Sequence, residues 1–339
     1  VNQATDALAA MPSLLAVAIA ALMSAFITWT SRPLLQRYAL ARPNARSSHR
    51  IPTPQGAGIA VIAATLIVAS VWAAFAGVTI PPALIAATVL IALVGFADDI
   101  VSLPVLLRLG LQAAAVGAVV FTAPDTARIV PALPLALERS LILIAGVWFV
   151  NLVNFMDGLD LMTVAEVVPV TAALLLLGWL GEVSWPAALI AATLCGGMLG
   201  FAPFNRPVAK VFLGDVGSLP IGLLLGWCLL ELAWRGQAAA ALLLPAYYLV
   251  DSTLTLLRRI ARREPFWSAH RTHFYQRATD NGFSVPRVIG EVFLLNLVLA
   301  ALAILTVRAG SMAVTSFALS AGAVAIGFVL RRFSRPQAS

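Results

Sequence analysis

The chain has 339 residues, is 61% hydrophobic, carries only 11% charged residues and has a formal charge of +7. Ordinary soluble domains hold about 25% charged residues, so a soluble globular domain is excluded. The positions of the arginines account for the net charge better than nucleic-acid binding does, and no nucleic-acid partner is expected.

Eleven apolar runs approach the length of about 20 residues that a spanning helix needs. They lie near 11–31, 57–76, 81–97, 104–122, 137–153, 162–180, 185–203, 213–233, 238–257, 288–307 and 311–330. The runs are continuous rather than alternating, which points to helices and away from barrel strands. The expected fold is all-α and polytopic, one membrane-embedded domain over 1–339 with a cytoplasmic loop at 258–287. Residues 1–10 lack a basic segment, so the first run is expected to stay as a transmembrane helix rather than be cleaved. Cys195 and Cys228 lie inside apolar runs without metal or redox spacing, and read as reduced, buried hydrophobes.

Arg and Lys set the orientation. With the N-terminus outside and the C-terminus cytoplasmic, seventeen basic residues fall on inner segments and four on outer ones, with Arg108 inside the fourth run. The outer loops are short and plain. The unusual residues collect on the inner side: Pro43 to His49, Asp98-Asp99, Asn154 to Asp160, Asn205 to Ser218, and 258–287. A solute carrier places its key groups near the midplane, often on broken helices in paired repeats. Here they share one membrane face, which favours chemistry at the interface.

Asp98 and Asp99 end the third run after Gly95-Phe96-Ala97. Adjacent carboxylates repel unless a cation or base sits beside them, and at a helix C-terminus they also oppose the helix dipole. In Asn154-Phe-Met-Asp157-Gly-Leu-Asp160, helical spacing would put Asn154, Asp157 and Asp160 on one face. Asp215 stands between Gly214 and Gly217, with Ser218 beside it. Five carboxylates on three helix ends offer oxygen ligands to a hard cation such as Mg²⁺, which uses one or two protein carboxylates together with phosphates and water, so the rest are left for other work such as proton transfer or binding a sugar or base. No Cys/His cluster suggests zinc. Arg42, Arg46, His49 and Arg50 after the first run, and Arg258 to Arg287 with His270 and His273, supply bases for phosphates. Acids for a metal and bases for phosphates suggest phosphoryl transfer. The rival readings are a secondary transporter of a phosphorylated or acidic solute and an inactive scaffold.

Five ordered motifs now carry a resemblance: Pro43-Asn44 with Arg46-Ser47-Ser48-His49 and Pro52-Thr53-Pro54; Gly95 to Asp99; Asn154 to Asp160; Phe212 to Ser218; and His270-Arg271-Thr272-His273. From about residue 40 to about residue 280 the chain resembles the polyprenyl-phosphate N-acetylhexosamine-1-phosphate transferases (glycosyltransferase family 4). The Arg46 and His270 motifs look more like the O-antigen-initiating branch than the peptidoglycan branch. The resemblance implies a cytoplasmic-membrane enzyme that joins a UDP-N-acetylhexosamine to undecaprenyl phosphate and releases UMP. It implies Mg²⁺, with Mn²⁺ as the alternative, and a homodimer as one assembly.

By the same resemblance, Asp215 is the first metal ligand, with Asp157 beside it. Asp98 activates the lipid phosphate, supported by Asp99. Asn154, Asp157 and Asp160 serve the nucleotide sugar and the metal. Phe212 stacks on uracil with Asn205 as its companion, and Arg108 suits the lipid phosphate. Ser48, His49, His270, Arg271 and His273 contact substrate. Asp251 matches a family acid, with a structural ion pair to Arg258 or Arg259 as one reading of it. The chain departs from the family pattern at Arg42, where Asp is usual, and at Gln55-Gly56-Ala57-Gly58, where Arg-Gly-Gly-Gly is usual.

Overall fold

A computed structural model describes residues 3–41, 52–264 and 270–337, with side chains from Ser13 onward. Ser48 and His49, together with Arg42, Arg46 and Arg50, lie outside the described residues. The helices in chain order are α1 (Gln3–Tyr38), α2 (Gly58–Ala76), α3 (Pro82–Ile100), α4 (Val105–Phe121), α5 (Leu135–Met156), α6 (Met162–Trp179) and α7 (Trp185–Phe201). Then come α8 (Asp215–Trp234), α9 (Ala238–Leu243), α10 (Ala246–Ala261), α11 (Phe274–Asp280), α12 (Val285–Ala309) and α13 (Met312–Phe333). Prolines open several of them. Pro82 and Pro186 sit in the first turns of α3 and α7, and Pro104 and Pro134 directly precede α4 and α5. A missing N–H costs nothing there.

Among the described residues, nine helices are long and apolar enough to cross a membrane, and α4 is a shorter apolar helix. The chain is therefore an all-α, multi-pass membrane protein. The run expected as one span over 238–257 is divided at Leu244-Pro245 into α9 and α10. Pro245 lacks the N–H that would continue the ladder. Neither piece is among the helices long and apolar enough to cross a membrane. Gln237, just before α9, donates to Glu182 (3.3 Å) in the α6–α7 loop, while Asp251 in α10 accepts the Phe274 amide (3.1 Å) at the other end.

Lipid offers helices little hydrophobic drive to associate, so small residues and buried polar pairs matter more. On α7, a methyl group added at Gly196 or Gly200 would collide with the α1 backbone at Val17 or Ala21, and Ser24 on α1 donates to Gly197 O (2.8 Å). Asn151 on α5 donates to Gln112 on α4 (2.7 Å), and Asn296 on α12 donates to Glu166 on α6 (2.7 Å).

A two-residue strand pair, β1 (Leu40–Ala41) and β2 (Thr53–Pro54), is antiparallel, with Leu40 opposite Pro54. The segment after it runs against residues 212–213. Phe212 N donates to Pro54 O (2.7 Å), and the Ala57 and Gly58 amides donate to Phe212 O (3.0 Å) and Leu213 O (2.8 Å). This clip brings the end of α1 to the start of α8.

Candidate active site at the start of helix α8

The polar loops converge on the first turn of α8. Gly214 precedes it with φ +77°, a left-handed conformation that favours glycine. A side chain there would also strike the Asp99 carboxylate. Asp99, from the end of α3, accepts the Asp215 amide (2.9 Å) and the Val216 amide (3.1 Å). It also accepts Gln55 Nε2 (2.9 Å). A carboxylate from another helix thus satisfies two of the orphan N–H groups at the positive end of α8. Two backbone approaches seat this turn. A methyl at Gly95 on α3 would collide with the Asp215 backbone, and one at Gly58 on α2 with the Gly217 backbone.

Asp215 Oδ1 accepts Asn154 Nδ2 (2.8 Å), which also donates to Ser218 Oγ (2.9 Å). Asp98 pairs with Arg108 of α4, and the same guanidinium nitrogen lies 4.0 Å from Asp215 Oδ2. The other Asp98 oxygen accepts the Leu103 amide (2.7 Å). Asp157, just past α5, accepts the Thr163 hydroxyl. Burial, with Asp99 and Asp160 nearby, pushes its carboxyl up to about 7 against that hydrogen bond. Asp160 accepts the Ala209 amide (3.0 Å). Asn205 joins two loops, accepting from Leu161 N (2.7 Å) and donating to Val211 O (2.9 Å).

A cavity of about 590 Å³ opens over this turn. Asp99, Asn154, Asp157, Asp160, Asn205, Phe212 and Asp215, seven of the expected site residues, line it. Gln55, Pro207, Val208 and Gln276 are also in its wall. Asp98 and Arg108 stand beside it, reaching it through Asp215.

The His270 segment sits differently. His273 is buried, and its Nδ1 lies 3.2 Å from Asp251, while His270 stacks on the His273 ring with centroids 5.0 Å apart. Burial, then His273 and Arg259, push the His270 imidazole down to about 4, so it is neutral at pH 7. Arg271 binds Thr279 and Asp280, each at 3.1 Å. None of these three lines the cavity. Asp251 pairs with His273 and Arg259 with Glu264 (2.9 Å), a different partner for Asp251 from the Arg258 or Arg259 of one of its two open readings.

Residues beyond the sequence-based set complete the site. Gln55 and Thr163 hold Asp99 and Asp157, and Tyr275 donates to Phe155 O (3.0 Å) beside Asp157. Tyr275 follows the His-Arg-Thr-His motif by two residues, and that proximity is the one feature by which the sequence could have found it. Among the described residues, no three His, Cys, Asp or Glu side chains converge to hold a metal ion unaided.

Residues 81–233 match the family described as Glycosyl transferase family 4. The chain is 30% identical over 316 residues to the decaprenyl-phosphate N-acetylglucosaminephosphotransferase of Mycolicibacterium smegmatis, covering 81% of this chain and 77% of that one. The protein of the same name from Mycobacterium leprae is 30% identical over 323 residues, with 82% and 80% covered. The phospho-N-acetylmuramoyl-pentapeptide-transferase of Symbiobacterium thermophilum is 33% identical over 205 residues, 54% of this chain and 61% of that one. With the matched segment running from the start of α3 to the end of α8, through Asp98, Asn154, Asp157 and Asp215, the chain belongs to glycosyltransferase family 4, the polyprenyl-phosphate hexosamine-phosphate transferases.

Proposed function

We propose that the protein transfers an N-acetylhexosamine 1-phosphate from a UDP-sugar to undecaprenyl phosphate, in the cytoplasmic membrane, as the first step of an O-antigen or related envelope glycan. A lipid-phosphate oxygen attacks the β-phosphorus of the donor. The bond from that phosphorus to the oxygen bridging it to the α-phosphate breaks, and UMP leaves with the oxygen. The product is a lipid diphosphate sugar.

The single observation behind this reading is one cavity lined by Asp99, Asn154, Asp157, Asp160, Asn205, Phe212 and Asp215, with the Asp98–Arg108 pair at its edge. The donor set is all hard oxygen; burial first, and then Asp99 and Asp160, raise the Asp157 carboxyl, and a divalent cation would offset both by favouring its charged form. Asp215 and Asp157 would hold Mg²⁺, with Mn²⁺ as the substitute. Bound there, the ion would neutralise charge on the diphosphate. Asn154 orients Asp215 through Nδ2. Arg108 meets the lipid phosphate, and Asp98 draws the proton from it. Phe212 offers a ring for the uracil.

An apolar cavity of about 310 Å³ among α4, α5, α8, α9 and α10 suits an isoprenoid tail. Its wall on α4 begins at Val116, eight residues and about 12 Å along the helix from Arg108. Family membership favours transfer over solute transport.

Membranes given radiolabelled UDP-N-acetylglucosamine, undecaprenyl phosphate and Mg²⁺ should place label in an organic-extractable product and release UMP. A panel of UDP-N-acetylhexosamines with mass spectrometry of the lipid identifies the sugar. No lipid product and no UMP from any donor in the panel would overturn the reading.

A further inference from the structure

Asp251 is fully buried in α10. Oδ1 faces Thr255 Oγ1 (3.3 Å), His273 Nδ1 (3.2 Å) and the Phe274 amide (3.1 Å). Oδ2 accepts Tyr247 Oη (3.2 Å) and the Tyr275 amide (3.2 Å). A carboxylate this deep is costly unless it is hydrogen-bonded, and here both oxygens are. The two amides open α11, so this one side chain fixes where α11 begins.

From there the contacts run directly to the cavity. The Tyr275 phenol donates to Phe155 O (3.0 Å), and the Gly158 amide faces the same phenol oxygen. A side chain at position 158 would collide with the phenol oxygen. Phe155 and Gly158 flank Asp157 in sequence, so the phenol grips the backbone on both sides of that carboxylate. Gln276, the next residue of α11, is itself in the cavity wall.

We propose that Asp251 is a positioning residue for the transfer, acting through α11 and the Tyr275 phenol to hold the 155–158 turn with Asp157 directed into the cavity. The proposal rests on the reading of that cavity as the transfer site. It gives the motif histidine a mechanical role, since His273 is one of the groups that keep Asp251 in place. An asparagine cannot replace Asp251 without conflict. In either amide orientation its NH₂ would face a backbone N–H, that of Phe274 or that of Tyr275.

The test compares Tyr275→Phe, Asp251→Asn and the double variant, purified in detergent, with UDP-N-acetylglucosamine or the donor the panel selects. Asp157→Asn is the control. Each single variant should lower kcat about tenfold or more while leaving KM for the UDP-sugar within about threefold, because a misplaced group acts on the chemical step. The double variant should be no slower than the worse single one, since both changes cut the same connection. Tyr275→Phe keeps its ring and should melt close to the wild type, which separates positioning from folding if Asp251→Asn is unstable. Wild-type kcat in folded Tyr275→Phe, alongside an inactive Asp157→Asn, would overturn the proposal and leave the transfer site standing. An active Asp157→Asn would overturn both.

Discussion

Arg108 stands between Asp98 and Asp215: its Nη1 pairs with the first and lies 4.0 Å from the second. One guanidinium thereby bridges the end of α3 and the start of α8. On the proposed function, a lipid phosphate arriving at this edge would meet that cation. Arg108→Gln should raise KM for undecaprenyl phosphate about tenfold or more, with a smaller change for the UDP-sugar. Arg108→Lys should recover only part of the loss, since an ammonium lacks the planar fork. Initial rates with each substrate varied in turn check this. An equal rise in both constants would remove Arg108 from the lipid-phosphate side.

Asp99 holds the α8 amides and Gln55 together. Asp99→Asn replaces one acceptor with a donor and removes the charge at the helix N-terminus. The expected loss is about 1–3 kcal/mol of stability, read as a lower melting temperature in detergent. Gln55→Ala removes only one neutral donor and should cost about 1 kcal/mol or less. Equal melting temperatures for Asp99→Asn and the wild type would deny Asp99 this anchoring role.

Gly95→Ala inserts a methyl group into the Asp215 backbone. The α8 turn must then shift by a fraction of an ångström or more. A displacement near 1 Å at a reacting group costs roughly a hundredfold in rate. Gly110→Ala is the matched control, because nothing lies within 4 Å of a methyl group at that position of α4. Turnover per inserted protein measures both. Similar rates for the two variants would show that the α3–α8 contact tolerates more than its geometry suggests.

The Asp157 carboxyl titrates near 7 when folded, against an ordinary value of 3.8. A raised carboxyl pKa favours the folded state while the group is protonated. That contribution is complete below about pH 4 and is lost as pH rises towards about 7. In the absence of divalent cations, the wild type should therefore lose stability relative to Asp157→Asn between pH 5 and pH 8. On the proposed metal role, Mg²⁺ should restore the wild type at pH 8 by binding the carboxylate form, and should do little for Asp157→Asn. Melting curves at both pH values, with Mg²⁺ or with a chelator, decide it. Parallel pH dependence in the two proteins would place the titration elsewhere.

Much of this architecture was legible because lipid imposes simple rules. Long apolar runs become helices, and the acids at their ends fall on one face. The division at Pro245 was harder to read, because the apolar pattern continues through it and only the proline marks the break. At the site, the sequence brings out side chains with chemical character, which is why Asp98, Asp99, Asp157 and Asp215 stood out. It does not show which of them are committed to backbone amides. Asp99 and Asp251 carry the same functional group as Asp157, yet both direct their lone pairs at helix starts donated from elsewhere in the chain. His273 has a partner its own loop does not reveal. A histidine in a polar loop reads as ligand-facing, and nothing in that loop indicates that its Nδ1 faces an aspartate 22 residues earlier, inside a helix. Tyr275 had no motif of its own, since a phenol against a backbone carbonyl follows no spacing rule.

The meeting of α2, α3 and α8 through Gly58, Gly95 and Gly217 has a consequence for how relatives can diverge. Behind the turn that carries Asp215 these helices touch main chain to main chain, so a larger amino acid at any of the three positions has to displace that turn. On the proposed function, a change of sugar would draw instead on side chains that line the cavity away from these contacts, such as Pro207, Val208 and Val285.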